Sequence, residues 1–489
     1  MPCSPVQRLQ TSLSDPLIAL RSQIEQESHQ ILTQYCANEA CLQHSKSARN
    51  LGHYLALRRH DLRQLQDQLA EAGLSSLGRC EAHVMYTLNR VINMLQRDVA
   101  APIDPADLYG GPDYREGRRL LSDNTARLFG PPDAHRSTRI MVTLPSEAAD
   151  DPRLVRDLML RGMNCARINC AHDDHASWQC MVDNIVKARA ETGADCAVLM
   201  DLAGQKIRTR LDPAAAKLHL HLDDRLLLAR DLTTAPGGVA AVGCSHAQLI
   251  DSLHADQWAW FDDGKLGTIV DSIDEHGAWL HVVHCRPKGV KLRADKGINL
   301  PDTHIQLPCL TAKDLDDLDF VCRHADLVGF SFVQSRADMQ TLIAELDQRH
   351  AAHLGIVAKI ETRMAVKNLP EIILSALPRF RLGVMIARGD LAVELGGVRM
   401  AEIQEELLWL CEAAHVPVIW ATQVLETLAK KGISSRPELT DAAMSGRAEC
   451  VMLNKGPYIL SAAGTLNSIL VRMQDHQQKK RSHMRALHW

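Results

Sequence analysis

Two stretches decide the fold. They are Gly-Ile-Val-Ala-Lys-Ile-Glu at Gly355–Glu361 and Gly-Val-Met-Ile-Ala-Arg-Gly-Asp at Gly383–Asp390. Each is a short apolar run bounded by turn or helix signals, which is the pattern of a buried strand in a parallel sheet. Each run also ends in charged residues, at the position where α/β folds place their chemistry.

The charges at the two strand ends are predicted to converge. Residues two apart on a strand share a face, so Lys359 and Glu361 should point the same way. The same spacing predicts a shared strand face for Arg388 and Asp390. Two carboxylates and a lysine at neighbouring strand ends indicate a metal site. The alternative is ordinary surface charge where a strand meets a loop.

Composition limits the class of protein. The chain has 489 residues, 46% of them hydrophobic and 23% charged, as expected for a globular protein of two or three domains. The net charge of -4 gives no reason to expect nucleic acid as a partner. The 14 cysteines lack metal-ligand spacing, which favours a reducing compartment. We find no signal peptide in 1–15 and no membrane span, so a cytoplasmic protein is expected.

The order of strand and helix patterns predicts an α/β fold, a (β/α)8 TIM barrel. A small all-β lid interrupts it after strand three, and a helical extension precedes it. The extension is interpreted as a packing or oligomerisation element, with partner binding as the alternative. The predicted strands are Arg139–Leu144, Asn164–Ala171, Cys196–Ala203, Ala325–Val333, Leu354–Glu361, Arg381–Arg388, Val416–Val424 and Cys450–Asn454. The predicted domains are 1–135 for the extension, 136–208 and 294–475 for the barrel, 209–293 for the lid and 476–489 for a basic, solvated tail.

The carboxyl ends of the predicted strands carry cations, carboxylates and hydroxyls. Arginine offers a planar fork for phosphate or carboxylate, and paired carboxylates suit Mg²⁺ or Mn²⁺. These are the parts that phosphoryl transfer requires, and the residues alone therefore predict a metal-dependent barrel enzyme with an anionic substrate. The strand-end residues are Arg167, Asn169, Asp201, Lys206, Arg208, Ser331, Lys359, Glu361, Arg388, Asp390 and Thr422.

From about Arg139 to Leu470 the chain resembles pyruvate kinase. Several motifs occur in the family's order, with the β-rich insert in the expected place. They are Gly162–Asn169, Asp201–Thr209, Asp262–Gly264, Lys296–Pro301, Ala358–Glu361, Ile386–Leu391 and Trp420–Glu426, followed by Arg436–Glu438 and Asp441. The match is to a short form with a helical N-terminal extension, and the family's C-terminal effector domain is expected to be missing.

The resemblance implies phosphate transfer from phosphoenolpyruvate to ADP, giving pyruvate and ATP, in a homo-oligomer. Glu361 and Asp390 would hold Mg²⁺ or Mn²⁺, and Lys359 would stabilise the phosphoryl group in flight. Thr422 would lie where the enolate is protonated. The residues that would cradle the substrate phosphate and carboxylate are Arg167, Ser331 and the backbone of Gly389 and Asp390. Those that would face the nucleotide are Asn169, His172, Arg208, Lys296 and, on the lid, Asp263.

One departure from the family concerns the monovalent cation. The residues that commonly bind K⁺ correspond here to Asn169, Ala171, Asp201 and Leu202, so two oxygen ligands are absent. A glutamate typical of K⁺-dependent members is replaced by Lys206, whose ammonium group can supply the missing positive charge. The sequence therefore predicts activity without K⁺.

Two other functions remain open from the sequence. Altered loops after strands one and eight, at Thr143–Ser146 and Asn454–Pro457, are compatible with a phosphoenolpyruvate sensor that has little turnover. Another metal-dependent barrel enzyme acting on a pyruvate-like enolate is the second alternative. The nucleotide-facing residues and the lid argue against that second alternative, because a lyase needs no nucleotide lid.

Overall fold

A computed structural model describes residues 5–35, 45–96, 102–213, 216–303, 305, 307–377, 379–479 and 481–482. The strands follow the predicted order, with a group of short strands between the third and fourth barrel strands. They are β1 Arg139–Thr143, β2 Met163–Asn169, β3 Ala197–Asp201, β4 Thr209–Arg210, β5 Leu218–Leu220, β6 Arg225–Ala229, β7 Ala241–Cys244, β8 Trp258–Phe261, β9 Leu266–Ile273, β10 Gly277–His284, β11 Val290–Leu292, β12 Ile298–Asn299, β13 Leu327–Phe330, β14 Gly355–Ile360, β15 Leu382–Ala387, β16 Val418–Ala421, β17 Cys450–Leu453, β18 Gln477–Gln478 and β19 Arg481–Ser482.

Helices precede the barrel and alternate with its strands. They are α1 Pro5–Tyr35, α2 Lys46–Leu57, α3 Arg63–Glu71, α4 Val84–Leu95, α5 Tyr114–Phe129, α6 Pro152–Leu160, α7 His175–Thr192, α8 Ala312–His324, α9 Arg336–Gln348, α10 Arg363–Lys367, α11 Leu369–Ala376, α12 Arg388–Leu395, α13 Gly397–Ala413, α14 Glu426–Lys431, α15 Arg436–Ser445 and α16 Ile459–Gln474. No helix in the described ranges is both long enough and apolar enough to cross a membrane.

Eight parallel strands close into a barrel, which confirms the predicted fold class. Their order around the barrel is β1, β17, β16, β15, β14, β13, β3 and β2. Capping residues start several of the surrounding helices. The side chains of Thr311, Ser335 and Ser435 each accept a hydrogen bond from the third helical residue in a full capping box. These caps fix the residues at which α8, α9 and α15 begin.

The N-terminal extension reaches into the barrel through the end of α5. Leu128 and Phe129, at the end of α5, are buried in the same apolar cluster as the inward side chains of the barrel strands. A Cβ atom on Gly355 would lie 2.7 Å from Leu128 Cδ1, and one on Gly383 would lie 2.5 Å from Leu128 Cδ2. Gly355 and Gly383, which open the two fold-deciding stretches, therefore leave space for the side chain of Leu128, which we call the plug.

A second contact ties the extension to the end of α13. His415 is fully buried, with Nδ1 2.9 Å from Ser47 Oγ and Nε2 2.9 Å from the carbonyl oxygen of Ala82. Asn50 Nδ2 donates to the carbonyl oxygen of Ala413 at 2.8 Å. Burial lowers the pKa of His415 from 6.5 to about 4, so the ring is neutral at pH 7.

The segment between β3 and β13 is rich in short strands, as the sequence predicted. Seven strands form one sheet in the order β12, β8, β9, β10, β6, β7 and β4, and β11 pairs with β5. Its apolar core is a separate cluster that includes Leu226, Phe261 and Leu280. An independent core lets this unit sit beside the barrel mouth as a distinct body.

Two expectations are corrected by the structure. Strand β15 ends at Ala387 and helix α12 begins at Arg388, so Arg388 and Asp390 do not share a strand face. Of the predicted solvated tail, residues 480 and 483–489 lie outside the described residues. In its described part, Lys479 is buried and its Nζ lies 2.6 Å from Glu449 Oε1. A carboxylate at the entrance of β17 thus anchors the start of this segment.

Candidate active site

The site is the polar layer that follows the apolar interior of the barrel. On three strands an apolar side chain is followed two residues later by a polar one. Both members of each pair face the barrel interior, because residues two apart on a strand share a face. The pairs are Cys165 and Arg167 on β2, Leu199 and Asp201 on β3, and Val357 and Lys359 on β14. The polar members lie at the carboxyl ends of the strands, where TIM barrels hold their active sites.

Asp201 is the buried centre of this layer. It accepts from Arg167 Nε at 2.8 Å, and its Oδ2 lies 3.2 Å from Lys359 Nζ. Gly329 leaves space for it, since a Cβ there would lie 2.5 Å from Asp201 Oδ1. Burial alone would raise the pKa of Asp201, but Lys359 and Arg167 outweigh burial and hold the pKa below its usual value. The sequence assigned Asp201 to the cation site and did not foresee this central role.

Lys359 contacts residues from two neighbouring strand ends, Ser331 and Glu361. Its Nζ donates to Ser331 Oγ at 2.6 Å and lies 3.3 Å from Glu361 Oε1, as the two-residue spacing predicted. Ser331 Oγ in turn donates to the carbonyl oxygen of Leu202 at 2.7 Å. Burial acts to lower the pKa of Lys359, but Asp201 and Glu361 raise it further than burial lowers it. The ammonium group is therefore charged and fixed in place.

Glu361 is a buried carboxylate with a fixed orientation. Its Oε2 accepts from the backbone N–H of Phe332 at 2.7 Å, and Phe332 has a left-handed φ of 56°. Burial raises the pKa of Glu361, Lys359 opposes that shift, and the charge of Asp390 adds to it. A buried carboxylate that is repelled by a second, partly exposed carboxylate is the kind of donor set that a hard divalent cation relieves.

Lys206 contacts Asp390 rather than Asp201. Its Nζ lies 2.7 Å from Asp390 Oδ1 and 4.0 Å from Asp263 Oδ1. Asp263 belongs to the β-rich insert and Asp390 to the barrel, so the lysine lies between the two. A Cβ on Gly297 would lie 2.8 Å from Lys206 Cε, so the lysine side chain passes close to the backbone of Gly297.

Arg388 fixes the loop that carries Thr422, a role that the sequence did not reveal. Its Nη1 donates to Asp441 Oδ1 at 2.5 Å, and its Nη2 donates to the carbonyl oxygen of Thr422 at 2.5 Å. Its guanidinium carbon lies 4.6 Å from the ring centre of Trp420. An available signal was Arg-Gly-Asp at the start of a helix, because acidic residues favour the first turn.

Thr422 faces the helix that begins with this arginine. It has a left-handed φ of 67°, and its buried Oγ1 has no hydrogen-bond partner in the described part of the chain. A Cβ on Gly389 would lie 3.6 Å from that Oγ1. The strain and the unpartnered hydroxyl are features of a functional position.

The residues expected to face the nucleotide lie around the insert and the β2–β3 edge. Arg208 Nη1 donates to the carbonyl oxygen of Asp295 at 3.2 Å, and Lys296 Nζ lies 3.3 Å from Asp262 Oδ1. Asn169 Oδ1 accepts from the backbone N–H of Ala171 at 3.2 Å. Partial burial, followed by the charge of Lys455, lowers the pKa of His172. None of these hydrogen bonds and ion pairs involves Asp201, Lys359 or Glu361.

Comparison with known proteins adds independent information. The family model described as pyruvate kinase, barrel domain, matches residues 135–465. A pyruvate kinase of Geobacillus stearothermophilus is 31% identical over 346 residues, which cover 69% of this chain and 57% of the relative. A pyruvate kinase of Trypanoplasma borreli is 30% identical over 364 residues, covering 73% of this chain and 70% of the relative.

A solved structure agrees with these matches. The crystal structure of a pyruvate kinase from Cryptosporidium parvum superposes with a TM-score of 0.63 at 26% identity, covering 71% of this chain and 72% of that chain. The chain spans a little over half the length of the Geobacillus stearothermophilus and Staphylococcus saprophyticus relatives, at 57% and 58%.

Proposed function

The chain belongs to the pyruvate kinase family, and we propose on that premise that it transfers phosphate from phosphoenolpyruvate to ADP. The observation that carries the proposal is the buried cluster of Asp201, Lys359 and Glu361 at the carboxyl ends of the barrel strands. Phosphoryl transfer depends on positioning and on charge stabilisation, and a fixed ammonium group in a buried site supplies both.

Each side chain of the site would have a separate role in phosphoryl transfer, set by its position. Lys359 would place its charge on the phosphoryl group, and Arg167 and Ser331 would bind the substrate phosphate and carboxylate with the backbone of Gly389 and Asp390. The Thr422 hydroxyl, which is buried without a partner among the described residues, would lie at the enolate carbon that takes up a proton. Arg388 would keep that hydroxyl in position through its contact with the Thr422 carbonyl oxygen.

A divalent cation fits the donor set. Glu361 and Asp390 are the residues that would hold Mg²⁺ or Mn²⁺, because the charge of Asp390 helps to raise the pKa of Glu361 and a bound cation would offset that charge. The bound ion would offset negative charge on the substrate's carboxylate and enolate oxygens.

Lys206 supports activity without K⁺. Its ammonium group lies between the barrel and the insert, next to Asp390 and near Asp263. We expect equal turnover in potassium and in tetramethylammonium buffers at matched ionic strength. A requirement for K⁺ would show that Lys206 does not take the place of the monovalent cation.

The remaining parts of the proposal follow the family. Phosphoenolpyruvate and ADP or ATP would be the partners, and the protein would work as a homo-oligomer in the cytoplasm. Asn169, His172, Arg208, Lys296 and Asp263 would face the nucleotide. The β-rich insert at 209–293 would act as a lid that excludes water from the phosphoryl group.

A lactate-dehydrogenase-coupled assay with phosphoenolpyruvate, ADP and Mg²⁺ tests the proposal. We expect turnover in the parent chain and a loss of at least 100-fold in Lys359→Met. Lys187→Met, which removes an exposed lysine from α7, is the charge-matched control and should turn over like the parent. Binding of phosphoenolpyruvate in calorimetry without turnover would support the sensor function instead.

A further inference from the structure

A cavity lies at the amino ends of β1 and β17, at the end of the barrel opposite the candidate active site. Its volume is about 530 Å³, within the range of small-molecule sites. Three parts of the chain meet there: helix α5 of the extension, the entrances of the two strands, and the end of α16 with the segment that follows it. The catalytic groups line none of it.

The lining of this cavity, which we call the basal cavity, is rich in cations. Five cationic side chains face three carboxylates. The cations are Arg118, Arg136, Arg139, Arg447 and Lys479, and the carboxylates are Asp133, Glu449 and Asp475. Apolar contacts come from Leu121, Leu470 and Met473. The excess of positive charge over an apolar floor suits an anion that carries an organic group.

Two of these cations have no ion pair in the described part of the chain. Arg136 and Arg139 are 2% and 5% exposed, and neither has a carboxylate of the described residues within 4.0 Å. Arg136 Nε donates to Asn467 Oδ1, and Arg139 Nη1 and Nη2 donate to the carbonyl oxygens of Ser137 and Gly130. By contrast, Lys479 pairs with Glu449 at 2.6 Å, and Arg447 pairs with Glu405 at 2.6 Å. Buried guanidinium groups are normally paired with an anion, so the lining lacks counter-charge.

Two hydrogen-bond donors without acceptors also indicate that the lining lacks an anion. The Nε–H groups of Arg139 and Arg447 are buried and have no acceptor among the described residues. Burial also lowers the pKa of Arg139, the direction expected for a cation without a close counter-ion. Native proteins leave few buried charged donors unsatisfied, and those that remain often mark a site for a missing ion or ligand.

We propose that the basal cavity binds a small phosphorylated organic molecule. The phosphate group would lie against Arg139 and Arg447, and the organic part would lie against Leu121 and Met473. Phosphate suits this lining because it accepts several charge-assisted hydrogen bonds from guanidinium groups at once. Since α5 also plugs the barrel through Leu128, such a ligand would join the extension to the barrel.

Calorimetry with phenyl phosphate tests the proposal on the full chain. Ser122→Trp places a large side chain at the cavity without changing any charge, and Arg447→Gln removes one cation. We expect each to weaken phenyl phosphate binding at least tenfold. Lys359→Met, at the other end of the barrel, and Arg323→Gln, an exposed charge change outside the cavity, should bind like the parent.

Circular dichroism melts separate loss of binding from loss of fold. We expect Ser122→Trp to melt within a few degrees of the parent, because Ser122 is exposed on α5. Phenyl phosphate binding that is lost in Lys359→Met but unchanged in folded Ser122→Trp would overturn the proposal, and so would absence of binding to the parent. Inorganic phosphate should bind more weakly than phenyl phosphate, since it makes no apolar contact.

Discussion

Substitution of Asp201 by asparagine should destabilise the fold through charge alone. The buried layer contains two cations, Lys359 and Arg167, and two carboxylates, Asp201 and Glu361, so its formal charge is zero. Asp201→Asn keeps the shape but leaves one uncompensated positive charge in a buried setting. Breaking a buried charge network in this way typically costs about 3–5 kcal/mol.

The pH dependence of this effect has a definite sign. The pKa of Asp201 in the folded state lies below its usual value of 3.8. Its contribution to stability is therefore complete above that value and is lost as the pH falls through the folded-state pKa. The difference between the parent and Asp201→Asn should be largest near neutral pH and should shrink in strong acid.

Urea unfolding at pH 7, followed by circular dichroism, measures the effect. Asp263→Asn is the matched control, because its side chain is 68% exposed and should cost no more than about 0.5 kcal/mol. A free energy of unfolding for Asp201→Asn within about 1 kcal/mol of the control would refute the reasoning. It would mean that the buried cations gain little from Asp201.

Three further predictions concern positions outside this layer. Leu128→Ala should lower the free energy of unfolding by about 2–5 kcal/mol, because it empties the plug that fills the space over Gly355 and Gly383; a change below 1 kcal/mol would contradict this. Arg388→Gln should reduce kcat at least tenfold with little change in KM, since it frees the Thr422 loop, and its circular dichroism melt should stay close to that of the parent; a raised KM with unchanged kcat would contradict this. For His415, the unfolded state binds the proton more tightly, so lowering the pH from 6.5 to about 4 should cost about 3 kcal/mol, and His415→Gln should flatten that slope in urea titrations at several pH values.

The barrel and the pairing of Lys359 with Glu361 could be predicted from sequence because both follow from local patterns. Strand period and strand order give the barrel, and a spacing of two residues gives the shared face. The strand face expected for Arg388 failed because a helix starts where the apolar run stops, and its first turn carries Asp390. The apolar run alone does not mark that boundary.

Long-range contacts lay beyond sequence reasoning. Nothing near Leu128 in the chain indicates that it fills the space above Gly355, more than 200 residues away. The same applies to Asp201, whose partners come from two other strands, and to Lys479, which is buried against Glu449. Such contacts depend on how the elements pack, and local periodicity carries no information about them.

The most direct test of the central claim is to follow phosphate itself. In ³¹P NMR of the protein with phosphoenolpyruvate, ADP and Mg²⁺, we predict loss of the phosphoenolpyruvate signal and matching growth of the γ-phosphate signal of ATP. Lys359→Met, folded by circular dichroism, should leave both signals unchanged on the same timescale. Persistent phosphoenolpyruvate with the parent chain, or release of inorganic phosphate instead of ATP, would contradict the account.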